Sequence, residues 1–482
     1  MQPRASTSGR RRAVQIVEAT EEFSVREQSP PREVLRVPTP LPPPQIVRPP
    51  EETPAGNSMS CMFACIAGSV VTLSMLIGTV GYYIVNTGEI EPMGQETHGM
   101  TTDSQNESPG IQYAGQTPSV MSTVLLCYWN SSSITRSPPK DYDLNKLCAH
   151  CCTHIIYLGA HLKVNADGPH LVFPDDDRGL RSIRDLEALK SSTPGLKLHL
   201  SLPVDDVWGA EESNSTLLMQ CNSLANRLAQ WLPQHGFDGV ELDWDHLPMH
   251  KKLQYTRITK LIRRTLRKEG LQIMVRVHPR KSNAYDINAL YGFSDFLVVH
   301  PFAQDDKPKV AVPPIIFKED LVELCEVSLS QLRNKHRVIL ALPLFGYAYR
   351  LRSIAHYELR APVRGPSTQG PYTDTRGVLA YFEICFEFTA DIWVSLYDKV
   401  ADCKIAVNRD KSQWIGYDNK ASILNKVLFA KQQRMGGVAV YTVDMDDYDG
   451  DCGQKNVLLN QVYNALKEMD RQPSSHPTQT PR

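Results

Sequence analysis

The chain has 482 residues, enough for one large domain or several smaller ones. Its 52 basic and 53 acidic residues leave a net charge of −1, which excludes the basic excess of a nucleic-acid-binding domain. A hydrophobic content of 41% supplies the material for a buried core, and the 34 prolines crowd towards the N-terminus.

Residues 1–60 hold few large apolar side chains and much proline, and read as a disordered cytosolic tail. Within it, Pro38-Thr39-Pro40-Leu41-Pro42-Pro43-Pro44 has the pattern of a polyproline II ligand for an SH3-type partner, with a plain solvated tail as the alternative. Residues 61–85 run 25 residues without a charge. At about 1.5 Å per residue they span a bilayer core of about 30 Å with room to tilt, which predicts one transmembrane signal-anchor helix. Eight arginines precede it (Arg4, Arg10, Arg11, Arg12, Arg26, Arg32, Arg36 and Arg48), and no lysine or arginine falls within 86–120. The positive-inside rule then gives a type II single-pass protein, with the N-terminus cytosolic and the remainder extracellular or lumenal. Cys61 and Cys65 stand at the cytosolic edge as palmitoylation candidates or as packing residues. Residues 86–120 are polar and read as a stalk. On the far side Asn130 and Asn214 head Asn-x-Ser/Thr glycosylation acceptors.

From 121 to 470 short β-rich runs recur at Val124–Trp129, Thr153–Leu158, Leu196–Leu202, Phe237–Asp245, Leu271–His278, Phe293–Phe302, Val338–Tyr347 and Gly437–Val443. Amphipathic helical patterns, such as Ser215–Leu232 and Leu253–Lys268, lie between several of them. Eight strands alternating with helices predict an α/β fold, a closed (β/α)8 TIM barrel, with a doubly wound open sheet as the competitor. Residues 471–482 read as a disordered tail.

The fourth run carries the most information. Glu241, Asp243 and Asp245 alternate with Val240, Leu242 and Trp244, so a strand places three carboxylates on one face. Like charges roughly 7 Å apart repel by roughly 2 kcal/mol at an effective dielectric near 20. A purely structural strand avoids that cost, so these carboxylates mark a candidate site. Glu241 and Asp243 are expected to share a proton as a coupled pair.

Nine cysteines follow the apolar segment: Cys127, Cys148, Cys151, Cys152, Cys221, Cys325, Cys385, Cys403 and Cys452. No pair of CxxC motifs occurs, so no metal is expected, and disulfides fit the oxidising side of a membrane. An odd count leaves at least one thiol unpaired within the chain. No motif calls for a cofactor.

Over roughly residues 121–470 the chain resembles glycoside hydrolase family 18, the chitinases and chitinase-like proteins. The resemblance rests on Asp238-Gly239-Val240-Glu241-Leu242-Asp243-Trp244-Asp245, Cys152-Thr153-His154-Ile155-Ile156-Tyr157, Pro343-Leu344-Phe345-Gly346-Tyr347, Gly377-Val378-Leu379-Ala380-Tyr381-Phe382-Glu383-Ile384-Cys385, Gln413-Trp414-Ile415-Gly416-Tyr417-Asp418 and Asp444-Met445-Asp446-Asp447-Tyr448, in this order. It implies disulfides Cys127–Cys152 and Cys385–Cys452. It also implies a small α+β insertion at about 350–415, after the seventh strand. Such chitinases use the substrate's own acetamide as nucleophile, a recognised exception among glycosidases. The family's proton-donating glutamate falls on Asp245, its acetamide-orienting aspartate on Asp243, and its first inner aspartate on Glu241.

Asp245 is one methylene shorter than the family's glutamate, so its carboxyl retreats by roughly 1.5 Å. A displacement of about 1 Å can cost on the order of 100-fold, and loss of general acid catalysis about 10²- to 10⁴-fold. Other positions depart as well. Phe302 and Ala303 replace a tyrosine and an aspartate that hold the acetamide, Tyr441 replaces a tryptophan floor, and Pro203-Val204-Asp205 replaces a Gly-Gly-Trp run. Tyr128 and Tyr441 are left as stacking candidates. Trp244 is expected to pack outward under a helix, and Asp444, Asp446 and Asp447 to cap the rim. The expected activity is therefore that of a chitinase-like ectodomain that binds chitin or another N-acetylglucosamine-containing glycan without turnover. Alternatives are an active chitinase using Asp245 as a short acid, and an adhesion or signalling ectodomain without a sugar site.

Overall fold

The computed structural model describes residues 123–471, apart from 166–167, 174–176, 205–213, 246, 279–283, 303–304, 306 and 388–391. The tail, apolar segment and stalk expected over 1–120 lie outside the described residues, as do Asp205, Ala303 and the C-terminal tail. Among the described residues no helix is long and apolar enough to cross a membrane.

The chain opens with β1 (Val124–Asn130) and β2 (His154–Leu158), followed by a hairpin of β3 (His161–Asn165) and β4 (Gly168–Val172). Next come α1 (Asp177–Ser192), β5 (Lys197–Pro203), α2 (Asn214–Gln234), β6 (Gly239–Asp243), α3 (Lys252–Leu266), β7 (Gln272–Val277), α4 (Ile287–Phe293), β8 (Phe296–Val299) and β9 (Val338–Pro343). The last barrel strand is β16 (Gly437–Tyr441), flanked by α6 (Lys420–Gln432) and α7 (Val457–Arg471). Eight parallel strands close in the order β1-β16-β9-β8-β7-β6-β5-β2. The barrel, not the open sheet, is the fold. Its strands are covered on both faces, which is why β9 reads as an unbroken apolar run, Val-Ile-Leu-Ala-Leu-Pro, buried at every position. The helices supply the outer cover. In α3 the buried residues Tyr255, Ile258, Thr259, Ile262 and Leu266 recur at helical spacing on one side.

Two glycines set strand approach. A Cβ at Gly239 would lie 2.2 Å from the Gln272 carbonyl oxygen, and one at Gly437 would lie 2.0 Å from that of Val124. The first lets β6 sit against β7, and the second lets β16 close on β1, so both close the ring at the N-terminal end of the strands, opposite the mouth.

Between β9 and β16 the chain builds a separate antiparallel sheet from β10 (Phe345–Leu351), β11 (Val363–Pro366), β12 (Val378–Ala380), β13 (Trp393–Asp398), β14 (Cys403–Asn408) and β15 (Gln413–Tyr417), with the short helix α5 (Tyr381–Glu387). The run Val338–Tyr347, expected as one strand, is two. Pro343 has no N–H to continue a ladder. Past Leu344 the chain leaves its parallel partner β16 for antiparallel pairing with β12 and β15. The insertion accordingly begins at Phe345, a few residues before the expected boundary.

Among the described residues three disulfides form: Cys127–Cys152, Cys385–Cys452 and Cys148–Cys151. Cys221, Cys325 and Cys403 remain as buried thiols.

Candidate active site

The C-terminal ends of barrel strands are where this architecture places its chemistry. β6 brings Glu241 and Asp243 to the inner face, and the neighbouring strands converge on them. From β1, the Tyr128 hydroxyl donates to Glu241 Oε1. From β5, Ser201 Oγ donates to Glu241 Oε2 at 2.8 Å. From β7, Arg276 Nη2 donates to the same Oε2 at 2.7 Å, while its Nη1 donates to Asp243 Oδ2. The guanidinium also lies 5.2 Å from the Tyr128 ring centre and 5.5 Å from that of Tyr441, within cation–π reach of both.

These contacts correct two expectations. Where Glu241 and Asp243 were expected to share a proton, a guanidinium lies between them and bonds to each. Tyr128 is not a stacking platform. It is fully buried, its hydroxyl is held by Glu241, and its ring packs against His300 and Tyr441 at 5.4 and 5.1 Å.

Electrostatics follow from this packing. Burial opposes the charge on Arg276, but Asp243 and then Glu241 more than offset it, and the group is held cationic well above its ordinary range. Burial, and next the Glu241 charge, push the Tyr128 phenol well up, so it remains a donor. His300 follows β8 and is buried. Desolvation, then Arg276, lower its pKa far enough to keep the imidazole neutral.

Asp245 stands apart at the mouth. Its side chain is 48% exposed and pairs with His278 Nε2 at 3.0 Å, just beyond β7. Between Asp243 and Asp245 the chain turns Trp244 outward, where it is buried edge-on against Tyr255 of α3 at 5.6 Å. Phe302 is buried too, and joins His300, Phe345 and Tyr441 in an aromatic cluster with centres 5.1–5.6 Å apart. Tyr441 is half-buried and sits over the guanidinium. Trp129 points away from the barrel interior site, towards Tyr157 at 5.7 Å.

The rim carboxylates are occupied as structural acceptors. Asp444 pairs with Arg136, Asp446 accepts from the Leu458 and Leu459 amides at the start of α7, and Asp447 accepts from the amides of Gly450, Asp451 and Cys452. Asn130 Oδ1 accepts from the Ser132 amide and hydroxyl at 3.1 and 2.9 Å. For Asn214 only its place at the head of α2 is described. Among the described residues one group of three side chains has metal-ligand spacing, Cys148, His150 and Cys151, and its two sulfurs are joined to each other.

The residue that sequence reading missed is Arg276. Only the strand pairing reveals it: β7 pairs with β6 in parallel, Glu241 opposite Met274, so the residue two positions on from Met274 faces the carboxylates.

Residues 124–446 match the family model described as glycosyl hydrolases family 18. The chain belongs to that family. Within family 18 it is 25% identical over 371 residues to "Probable chitinase 2" of Drosophila melanogaster, covering 70% of this chain and 75% of the other. It is 24% identical over 357 residues to human "Chitinase-3-like protein 2", covering 68% and 89%. Among solved structures, the Ostrinia furnacalis Group IV chitinase in complex with allosamidin aligns with TM-score 0.64 at 20% identity, over 72% of this chain and 99% of that one. Human YKL-39, described as "a pseudo-chitinase with retained chitooligosaccharide binding properties", aligns with TM-score 0.64 at 22% identity, over 72% and 100%. The family thus places both cutting and non-cutting relatives beside this chain, and the fold alone does not choose between them.

Proposed function

We propose that this family 18 protein is a membrane-anchored chitinase-like ectodomain that holds an N-acetylglucosamine-containing glycan, such as a chitooligosaccharide, without hydrolysing it. Arg276 carries the proposal. The position that resembles the acetamide-orienting aspartate is Asp243, and its Oδ2 already accepts from Arg276. A substrate acetamide would have to displace a buried guanidinium that Glu241 also holds. Asp245, in the position of the proton donor, is short by a methylene and paired with His278. Orientation and protonation are therefore both impaired, and together they supply most of the acceleration in this chemistry.

Glycan retention is supported by Tyr441, half-buried at the mouth, and by the binding ascribed to human YKL-39. The test uses the full-length chain in two measurements, hydrolysis of a chromogenic chitooligosaccharide and retention on chitin beads. Retention without turnover, lost on Tyr441→Ala, is expected. Turnover abolished by Asp245→Ala would overturn the reading in favour of an active chitinase. The burial of Tyr128 and Phe302 favours a second reading, a protein-binding adhesion or signalling ectodomain. Neither turnover nor bead retention, together with binding to a cell surface, would select it.

The anchor is supported by the uncharged run 61–85 and the arginines before it. Sensitivity of Asn130 and Asn214 to a glycosidase that removes N-glycans would support a lumenal barrel, and cytosolic labelling of the barrel would refute it. The proline-rich segment 38–44 is proposed to meet an SH3-type partner in the cytosol.

A further inference from the structure

The disulfide Cys148–Cys151 lies outside everything used so far. It sits in the short turn Ala149–Cys151 just before β2, at the N-terminal end of the barrel and opposite the mouth. Its sequence is Cys148-Ala149-His150-Cys151, a CxxC motif with an imidazole between the sulfurs. Cys148 is half-buried and His150 exposed, while Cys151 is buried against α7 with its sulfur 3.8 Å from Asn460 Oδ1. His150 Nε2 lies 3.4 Å from Cys148 Sγ and 3.9 Å from Cys151 Sγ, and its ring meets Tyr463 edge-on at 6.0 Å.

Three physical facts set this bond apart. Its sequence separation is 3, against 25 for Cys127–Cys152 and 67 for Cys385–Cys452. With loop-closure entropy scaling as three-halves of the logarithm of loop length, cross-linking the longer loops shifts the folding equilibrium constant roughly 20-fold and 100-fold further than this one does. Secondly, the segment does not depend on it, because Cys152 next door is tied to β1 through Cys127. Thirdly, an imidazole beside one sulfur of a CxxC pair favours the thiolate form at that sulfur.

We infer that Cys148–Cys151 is a reversible thiol–disulfide exchange site, with Cys148 the sulfur attacked, His150 its activating side chain, and thiols of the glutathione class its partners. An incoming thiolate forms an S–S bond to Cys148 Sγ as the Cys148–Cys151 bond breaks. The Cys151 sulfur leaves with the bonding pair and takes up a proton. A second thiol, as thiolate, attacks the incoming sulfur of the mixed disulfide and releases Cys148 as a thiolate. Two small thiols are oxidised to their disulfide and one protein disulfide becomes two thiols, so electrons balance.

The experiment equilibrates the folded full-length chain with glutathione buffers of increasing reducing strength, traps free thiols with a maleimide and maps them by mass spectrometry. Cys148 and Cys151 are expected to become labelled together at a less reducing poise than either other pair, with the fold intact by circular dichroism. In Cys151→Ser, Cys148 is expected to carry glutathione. Once that glutathione is removed by mild reduction, His150→Ala in the same background is expected to slow alkylation of Cys148 about tenfold near neutral pH, and His150→Lys to restore it. Opening of Cys148–Cys151 only with the other disulfides, or only on unfolding, overturns the inference. An unchanged alkylation rate in His150→Ala overturns the role of His150. The titration of the unsubstituted chain decides the main point even where a variant fails to fold.

Discussion

Arg276 holds two carboxylates and a serine hydroxyl from a position with almost no solvent access. Removing one partner from such a buried set leaves charge without compensation, which costs on the order of 3–5 kcal/mol. Arg276→Met is therefore expected to lower the urea midpoint sharply, because Glu241 and Asp243 are left facing each other. The triple change Arg276→Met, Glu241→Gln and Asp243→Asn should recover most of the loss, since the three side chains act as one unit. Equal midpoints for Arg276→Met and the parent would refute the ion network. The same geometry governs repair of catalysis. Asp245→Glu restores the missing methylene but leaves Asp243 bonded to Arg276, so turnover is expected to stay at background in a chitooligosaccharide assay. Turnover appearing in Asp245→Glu alone would mean that the acid was the sole defect. The sequence displayed the carboxylates plainly, because three acids at alternate positions have no structural excuse. It concealed their counter-ion, because a lone arginine in Gln272-Ile273-Met274-Val275-Arg276-Val277 reads equally as a solvated face until the neighbouring strand fixes which side is inside.

At the scale of elements, the rim acids position helices rather than substrate. Asp446 bridges from the loop after β16 to the first turn of α7, accepting from Leu458 and Leu459. Loss of a carboxylate that satisfies otherwise unpaired first-turn amides costs about 0.5–2 kcal/mol. Asp446→Ala should lower stability within that range, and Asp446→Asn, which keeps one acceptor oxygen, should lower it less. Identical losses for the two variants in urea melts would contradict the capping role. Element-level legibility divides along the same physical line. Strands such as β8 and β9 were readable because burial on both faces makes each a compact apolar run, and β6 because its acids alternate with apolar residues. The hairpin of β3 and β4 was not readable. His161-Leu162-Lys163-Val164-Asn165 buries only Leu162, and such a strand owes its form to its partner rather than to its own pattern. The split at Pro343 was hidden for the converse reason: β9 and β10 are both apolar, and only the change of hydrogen-bonding partner divides them.

For the whole molecule, the barrel interior carries an acid liability at the end opposite the mouth. His154 of β2 and His199 of β5 lie side by side, ring centres 5.3 Å apart, with Phe296 5.7 Å from His154. Burial first, and Lys197 second, lower the pKa of His154 to about 4. His199 is pushed well down by burial and then by His154 itself. In the unfolded chain an imidazole titrates near 6.5. Between these values the unfolded state binds a proton that the native state refuses, so the stability associated with His154 is present above about 6.5 and lost as pH falls through about 4. The difference corresponds to a contribution on the order of 3 kcal/mol from this residue. Carboxylates add their own pH dependence, so the informative quantity is a difference between proteins. The urea midpoint of the parent chain is expected to fall more steeply from pH 7.5 to pH 4.5 than that of His154→Gln, whose amide cannot take up the proton. Parallel curves would mean that the buried pair accepts its charge without penalty, and that the interior of the barrel is wetter than its packing implies.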